Sequence, residues 1–194
     1  MGHRGKKSPR RAILEATQSL IFELGADRLT IRRVEARSGF KAPTIYHYFR
    51  DKTGLVDSLL EETCAELYAR LRLVPRRAHP TEYLRELARA YLEFGLSNPT
   101  LYALISAPRR DGARRLPSAE AARELVFRAL VAAADAGTLG SRDPEAIFQA
   151  LWAVLHGVVS LSVSRPDHPW RPELVDLALE TIERGILHRE ASAR

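Results

Sequence analysis

Two short apolar stripes separated by a glycine constrain this chain more than any other feature. The stretch from Thr30 to Lys52 reads TIRRVEARSGFKAPTIYHYFRDK. Ile31, Val34 and Ala36 give apolar or small positions for one short helix. Thr30 fits as its N-cap, because a hydroxyl accepts a bond from an otherwise unpaired backbone N–H. Ser38-Gly39 ends the pattern, since glycine reaches positive φ at no steric cost. The second helix carries Pro43 in its first turn, where a missing N–H is harmless, and Ile45 and Phe49, four apart, share one face. Thr44, Tyr46, His47 and Tyr48 fall on the opposite face, and Arg50 and Lys52 follow. Two short helices about a glycine turn, the second polar and aromatic outside, predict a helix-turn-helix.

Charge separates this region from the rest. Residues 1–52 hold 12 Lys and Arg against 5 Asp and Glu, a net +7, whereas residues 53–194 hold 18 against 19. All four lysines (Lys6, Lys7, Lys41, Lys52) lie in the first part. A solubility device would spread its charge; this asymmetry points to a polyanion partner for the N-terminal quarter, nucleic acid in preference to a membrane surface. The basic segment Gly2 to Arg11 reads either as an arm along phosphates or a minor groove, or as a solvated tail.

The remainder reads as helices punctuated by Pro and Gly. Helix one is expected from Pro9 to Leu24, closed by Gly25. A long amphipathic helix follows from the N-cap Asp51 to Leu73, with Leu55, Leu59, Leu60 and Leu67 as its stripe and Glu61, Glu62 and Glu66 as a solvated face. Pro75 to Pro80 is the strongest break. Further helices are expected over Thr81–Leu96, after an Asn98 cap with Pro99, over Ser118–Ala136, from Asp143-Pro144 to Val163, and from Pro172 to His188, with an arginine-rich loop from Ala107 to Pro117. No period-2 alternation is long enough for a strand. The expected fold is all-α with about nine helices: an N-terminal three-helix helix-turn-helix domain (1–52) and a second helical domain (53–194).

Length allows a substantial core. No apolar run is expected to approach the roughly 18 residues that span a bilayer. No signal-peptide pattern follows the basic N-terminus, and a lone Cys64 excludes an intramolecular disulfide or a multi-cysteine metal cluster, so a cytoplasmic chain with no membrane association is expected. No G-x-S-x-G, P-loop, H-E-x-x-H or dinucleotide fingerprint occurs, and no two of the six histidines stand at metal-ligating helical spacing. Neither catalysis nor a metal or cofactor is expected.

The same residues carry a resemblance. Ile13, Leu14, Ala16, Leu20, Gly25, Thr30, Gly39, Thr44-Ile45-Tyr46, Tyr48-Phe49, Lys52 and Leu55 resemble the DNA-binding domain of the tetracycline-repressor family of bacterial regulators, and the run APTIYHYF followed by Lys52 is specific to it. The resemblance implies phosphate contacts from Thr30, Thr44, Tyr46, Tyr48 and Lys52. It also implies a base-reading Arg32, whose planar fork suits guanine N7 and O6. Lys41, Ala42, Pro43 and His47 would line the groove-facing end of the recognition helix. Packing of Tyr48 in the domain core is the competing reading, and Arg33 and Arg37 read as solvated. Two positions depart from the pattern: Glu35 stands where a small residue is usual, and Lys41 where a Ser often caps. Glu35 is expected to snorkel outwards, with either the first helix of the pair slightly rotated or a nearby arginine as its partner.

Ile147, Leu151, Val154, Val158 and Leu161 recur with four-three spacing beside Ala150, Ala153, Gly157 and Ser160, and Val175, Leu179, Ile182 and Ile186 repeat it. This is either an intrachain core or a seam between copies; the resemblance implies a homodimer through the last two helices, bound to a palindromic operator. LWAVLHGVVSL (Leu151 to Leu161) also resembles a Trp-His-Gly type of effector domain. The resemblance implies a repressor released by a small molecule, with residues 53–194 as its effector-binding and dimerisation domain. Tyr68, Tyr91, Phe94, Tyr102, Phe127 and Trp152 can line an apolar pocket, with His156 as its hydrogen-bonding or titrating group, or can be core. Arg109, Arg110, Arg114 and Arg115 read as an anion entrance or a solvated loop. A DNA binder without small-molecule input, constitutive or controlled by a protein partner, is the alternative.

Overall fold

The computed structural model describes residues 8–107, 115–139 and 143–187. Gly2 to Lys7 of the basic arm, Arg109, Arg110, Arg114 and His188 lie outside the described residues. Among the described residues there are nine α-helices and no strand: α1 (Pro9–Leu24), α2 (Ile31–Ser38), α3 (Ala42–Phe49), α4 (Lys52–Leu73), α5 (Pro80–Ser97), α6 (Pro99–Ser106), α7 (Pro117–Asp135), α8 (Pro144–Ser164) and α9 (Leu174–Ile182). A 3-10 turn, Ala26–Arg28, joins α1 to α2, and a π-helical turn, Glu183–Leu187, extends α9.

Proline sets most of the helix starts. Pro9, Pro43, Pro80, Pro99, Pro117 and Pro144 all stand in the first two positions of their helices, where φ is already helical and no N–H is missed. The N-cap residue's own side chain caps four of the nine: Ser8 for α1, Thr30 for α2, Asp51 for α4 and Asp143 for α8. Asn98 does not cap α6; its Nδ2 donates back to the Phe94 carbonyl at 2.9 Å, closing the end of α5.

Two large apolar cores result, with a small third cluster of Leu60, Cys64 and Leu116. Ile13, Leu14, Leu20 and Ile21 of α1 pack with Leu29, with Val34, Ile45 and Phe49 of the helix-turn-helix, with Leu55 and Leu59 of α4 and with Leu101 of α6. The larger core takes Leu67 and Leu71 of α4, the inner faces of α5, α7 and α8, and Leu179 and Ile182 of α9. One helix, α4, thus contributes its first turns to one core and its last turns to the other.

Glu61 is not part of a solvated face. It accepts bonds from the backbone N–H (3.0 Å) and hydroxyl (2.6 Å) of Ser118, so a side chain of α4 closes the first turn of α7, whose own N-cap position, Leu116, has no acceptor. Glu62 pairs with Arg10 of α1, and Glu66 with Arg70 at 2.8 Å. Asp176 and Glu183 bind Arg89 (2.8 Å) and Arg85 (2.5 Å), fixing α9 and its extension on α5.

Helix α8 overturns the expectation about apolar length. Its 21 residues reach a mean hydropathy of 1.7 over an 18-residue window, long and apolar enough by composition to cross a membrane, and only 22% of that window is buried. An all-round apolar helix is normally covered on more than one side. Its four-three repeat is also divided. Ile147 and Leu151 are buried within the protomer beside Leu155 and Val159, as are Leu179 and Ile182 of α9. Val154 and Leu161 (49% exposed) point outwards with Ala150 and Ala153, next to the half-buried Gly157 and Ser160, and Leu177 of α9 is 52% exposed. Spacing alone does not separate the two faces, because adjacent stripes of one helix repeat with the same period.

Candidate nucleic-acid interface

The recognition helix α3 is held from below by Ile45 (0% exposed) and Phe49, which point into the N-terminal core. That orientation turns Pro43, Tyr46, His47 and Tyr48 outwards, all exposed, with Ala42 and Thr44 half-buried at the flank. Tyr48 does not join the core; its ring meets His47 edge-on at 5.2 Å. Thr30, Arg32, Lys41 and Lys52 are exposed around this surface. The Thr30 hydroxyl oxygen accepts from the Arg33 N–H at 3.3 Å, which leaves its own hydrogen free to donate.

The start of α3 resolves both departures from the family pattern at once. Lys41 at the N-cap position offers no acceptor. Glu35 supplies it from α2: its Oε1 accepts from the Ala42 N–H at 2.7 Å. The expected outward turn or arginine partner is therefore corrected. Pro43 has no N–H, and the Thr44 N–H bonds the Lys41 carbonyl at 2.9 Å, so every donor of the first turn has a partner. A carboxylate at that end also meets the positive pole of the helix. Gly39 at φ 77° makes the sharp turn that brings Glu35 within reach.

The end of α3 is equally constrained. Arg50 has φ 67°, rare for a residue with a Cβ, and the Asp51 N–H reaches back to the Phe49 carbonyl at 2.8 Å in a tight γ-type turn. Asp51 then caps α4 through the Gly54 N–H at 2.7 Å. A Cβ on Gly54 would stand 2.1 Å from the Phe49 carbonyl oxygen, so α3 and α4 meet in a way only glycine permits.

Electrostatics divide the arginines. Arg37 grips Glu23 of α1 through two bonds (2.7 and 2.6 Å) and Ser19 at 2.6 Å, holding the Glu23 carboxyl down to about 2. Arg33 donates to the Arg28 carbonyl, Arg11 to Glu15, and Arg10 to Glu62. Arg33 and Arg37 are exposed, as expected of solvated rather than base-reading side chains, and they also make these internal bonds. Arg32, Lys41, Arg50 and Lys52 have no ion pair among the described residues, and all are exposed beside α3. Arg50 joins the site on these grounds; the sequence signal was only its charge next to Lys52.

The aromatic residues of the second half do not form one chamber. Tyr91 and Tyr102 share a bond of 2.8 Å, Tyr102 meets His156 Nδ1 at 2.8 Å, and His156 Nε2 meets Ser160 at 3.1 Å. Burial pushes both tyrosine hydroxyls above the ordinary range. Trp152 lies 5.9 Å from the His156 ring and is largely exposed. Phe94 is fully buried, and Phe127 packs on Phe148 beneath Arg123. Tyr68 lines a separate open cleft of about 530 Å3. Arg115 is exposed and pairs with Glu120 at 2.6 Å. No group of three metal-ligating side chains occurs among the described residues.

Residues 13–59 match the family model "Bacterial regulatory proteins, tetR family", and residues 84–183 match "Tetracyclin repressor-like, C-terminal domain". The chain belongs to the tetracycline-repressor family. It is 32% identical over 125 residues to the class A tetracycline repressor protein from transposon 1721 of Escherichia coli, a match covering 64% of this chain and 56% of that one. It is 37% identical over 58 residues to the HTH-type transcriptional regulator BetI of Cronobacter sakazakii, covering 30% of this chain and 29% of that one. The chain thus spans about half the length, or less, of these curated relatives. Among solved structures it is similar to a protein with unknown function from Rhodococcus sp. RHA1, 27% identical, with a TM-score of 0.79 over 97% of this chain and 100% of that one. The second family model begins within α5, so α4 joins the two matched segments.

Proposed function

We propose that this family member is a cytoplasmic transcriptional regulator that binds a palindromic operator as a homodimer, represses from it, and is released by a small-molecule effector. The observation that carries the reading is the solvent-facing side of α3: Pro43, Tyr46, His47 and Tyr48 stand clear of a packed scaffold. Arg32, Lys41, Arg50 and Lys52, which have no ion pair among the described residues, lie exposed around them. In this reading Lys52, Arg50, Thr30, Thr44, Tyr46 and Tyr48 hold phosphates, which set affinity and register without reading sequence. Arg32 reads a guanine, and Ala42 and Pro43 offer only apolar contact, suited to a thymine methyl. Lys41 and His47 donate at the groove-facing end.

The division proposed is a reading domain over 1–52 and an effector and dimerisation domain over 53–194, with the first turns of α4 serving as the foundation of the former. The outward Ala150, Ala153, Val154 and Leu161 of α8 with Leu177 of α9 form the face that a second copy covers. A dimer so built offers two recognition helices to successive major grooves, about 34 Å apart. The effector reading keeps Tyr68, Tyr91, Phe94, Tyr102, Phe127, Trp152 and His156 as its candidates, with the Tyr91–Tyr102–His156 chain as the polar element.

Selection of bound duplexes from a random pool by the purified chain tests the reading. Enrichment of a two-fold symmetric sequence is expected, and Arg32→Ala should relax preference at one position of each half-site. A pool that emerges unenriched sinks it.

A further inference from the structure

We infer that the cleft at the far end of α4 binds an amphiphilic anion, a carboxylate or phosphate head on an apolar body, and that its occupancy regulates DNA binding; the regulatory half rests on the function proposed above. The cleft, about 530 Å3, falls within the range of small-molecule sites. Its walls are the last turns of α4 (Tyr68, Arg72), the α4–α5 connection (Val74, Arg76, Arg77), the start of α5 (Pro80, Tyr83) and one face of α7.

Charge and shape select the ligand class. Four arginines (Arg72, Arg76, Arg77, Arg128) face one acid, Glu124, for a net +3. Glu124 is already engaged by Arg128 at 2.6 Å, whereas Arg72, Arg76 and Arg77 have no ion pair among the described residues. Their planar forks match carboxylate and phosphate oxygens two at a time. Beneath them lie Tyr68, Val74, Tyr83 and Leu125, each half-buried against the main core, and small Ala121, Ala129 and Ala132 of α7 leave the space open. A small inorganic anion would leave that floor wet, and a neutral apolar molecule would leave three cations without an anionic partner among the described residues, Arg72 keeping only its place over the Tyr68 ring at 5.8 Å. The Tyr91–Tyr102–His156–Ser160 chain differs on this point, because its polar groups already bond one another.

Position supplies the regulation. The 22 residues of α4 run about 33 Å from Lys52, beside the recognition helix, to the cleft. Between the two, Glu61 fastens α4 to the first turn of α7. An anion drawn between Arg72, Arg76, Arg77 and α7 pulls on α4 beyond that attachment, on the side away from DNA. Only a ligand with different affinity for the two placements of α4 can shift them.

The test uses two fluorescent probes with one aromatic body, 8-anilinonaphthalene-1-sulfonate and the uncharged N-phenyl-1-naphthylamine, titrated into the full chain. The sulfonate should bind more tightly, and the Arg72→Gln/Arg76→Gln/Arg77→Gln variant should weaken it roughly tenfold or more while leaving the neutral probe unchanged. Ala132→Phe, which keeps the charge and fills the space, should weaken both. Decanoate or decyl phosphate should displace the sulfonate, and decanol should not. Equal sulfonate affinity in the wild type and the triple arginine variant, or displacement by decanol alone, overturns the site. Duplex binding is measured separately: a chain that binds no duplex defeats the proposed function while the probe titration still judges the cleft. A duplex affinity moved less than about threefold by saturating decanoate or decyl phosphate, with the probe results as expected, overturns the regulatory half.

Discussion

Replacing Glu35 tests the most unusual feature of the DNA-facing unit. In Glu35→Ala the Ala42 N–H loses its acceptor, while Thr44 keeps the Lys41 carbonyl and Pro43 has no N–H to lose. The loss is that of one helix cap, about 1 kcal/mol within a range of roughly 0.5–2. Ala42 is only half-buried, so water can partly replace the carboxylate and the higher penalty of a sealed donor does not apply. For a chain of this size about 1 kcal/mol lowers the melting temperature by roughly 2–4 °C. Glu35→Gln keeps an oxygen but not the charge and should lose about half as much, since charge-assisted bonds are about twice as strong. Thermal unfolding gives the first number, and amide exchange at Ala42 localises it. An alanine variant that melts with the wild type and protects the Ala42 amide equally well would refute the capping role.

Three further outcomes follow from the same geometry. Gly54→Ala forces a methyl into the Phe49 carbonyl, so it should cost about 1–3 kcal/mol by thermal unfolding and misplace α3, and a variant of unchanged stability counts against the close approach. Glu23, held down to about 2 from an ordinary 4.5 by Arg37 and Ser19, contributes stability that is present above about pH 4.5 and lost as pH falls towards 2. Glu23→Gln should flatten that part of the stability profile, most visibly at low salt because the pair is exposed. Leu161→Arg on the outward face of α8 should convert dimer to monomer by sedimentation while leaving the fold intact; a variant that stays dimeric rejects α8 as the contact.

Local rules made much of this molecule legible. The Thr30 and Asp51 caps, the glycine stop at Gly39 and the span of α1 depend on residues within one turn of each other, and the sequence shows them directly. The same holds for the outward side of α3, which follows from placing Ile45 and Phe49 inside. Contacts across the fold stayed hidden. Glu35 reaches Ala42 seven residues away and Glu61 reaches Ser118 57 residues away; the first reads only as a departure from the family pattern and the second as an ordinary surface acid until the helices are in place. Arg50 takes a positive φ because Phe49 must meet Gly54, a demand visible only in the packed turn. The outward and inward stripes of α8 share one period, so only burial separates Val154 and Leu161 from Ile147 and Leu151. Arg72, Arg76 and Arg77 flank a proline-bounded break in the sequence, and they become one wall of a cleft only when α7 closes the other side.

The salt dependence of duplex binding tests the central claim most directly. With Lys52 and Arg50 of two protomers displacing counterions from phosphates, affinity for the selected operator should fall about a hundredfold or more between 50 and 200 mM salt. Lys52→Ala should weaken all duplexes alike and reduce the slope of log affinity against log salt by about one per protomer. An affinity indifferent to salt, or a Lys52→Ala variant that changes which sequence is preferred, would contradict the account.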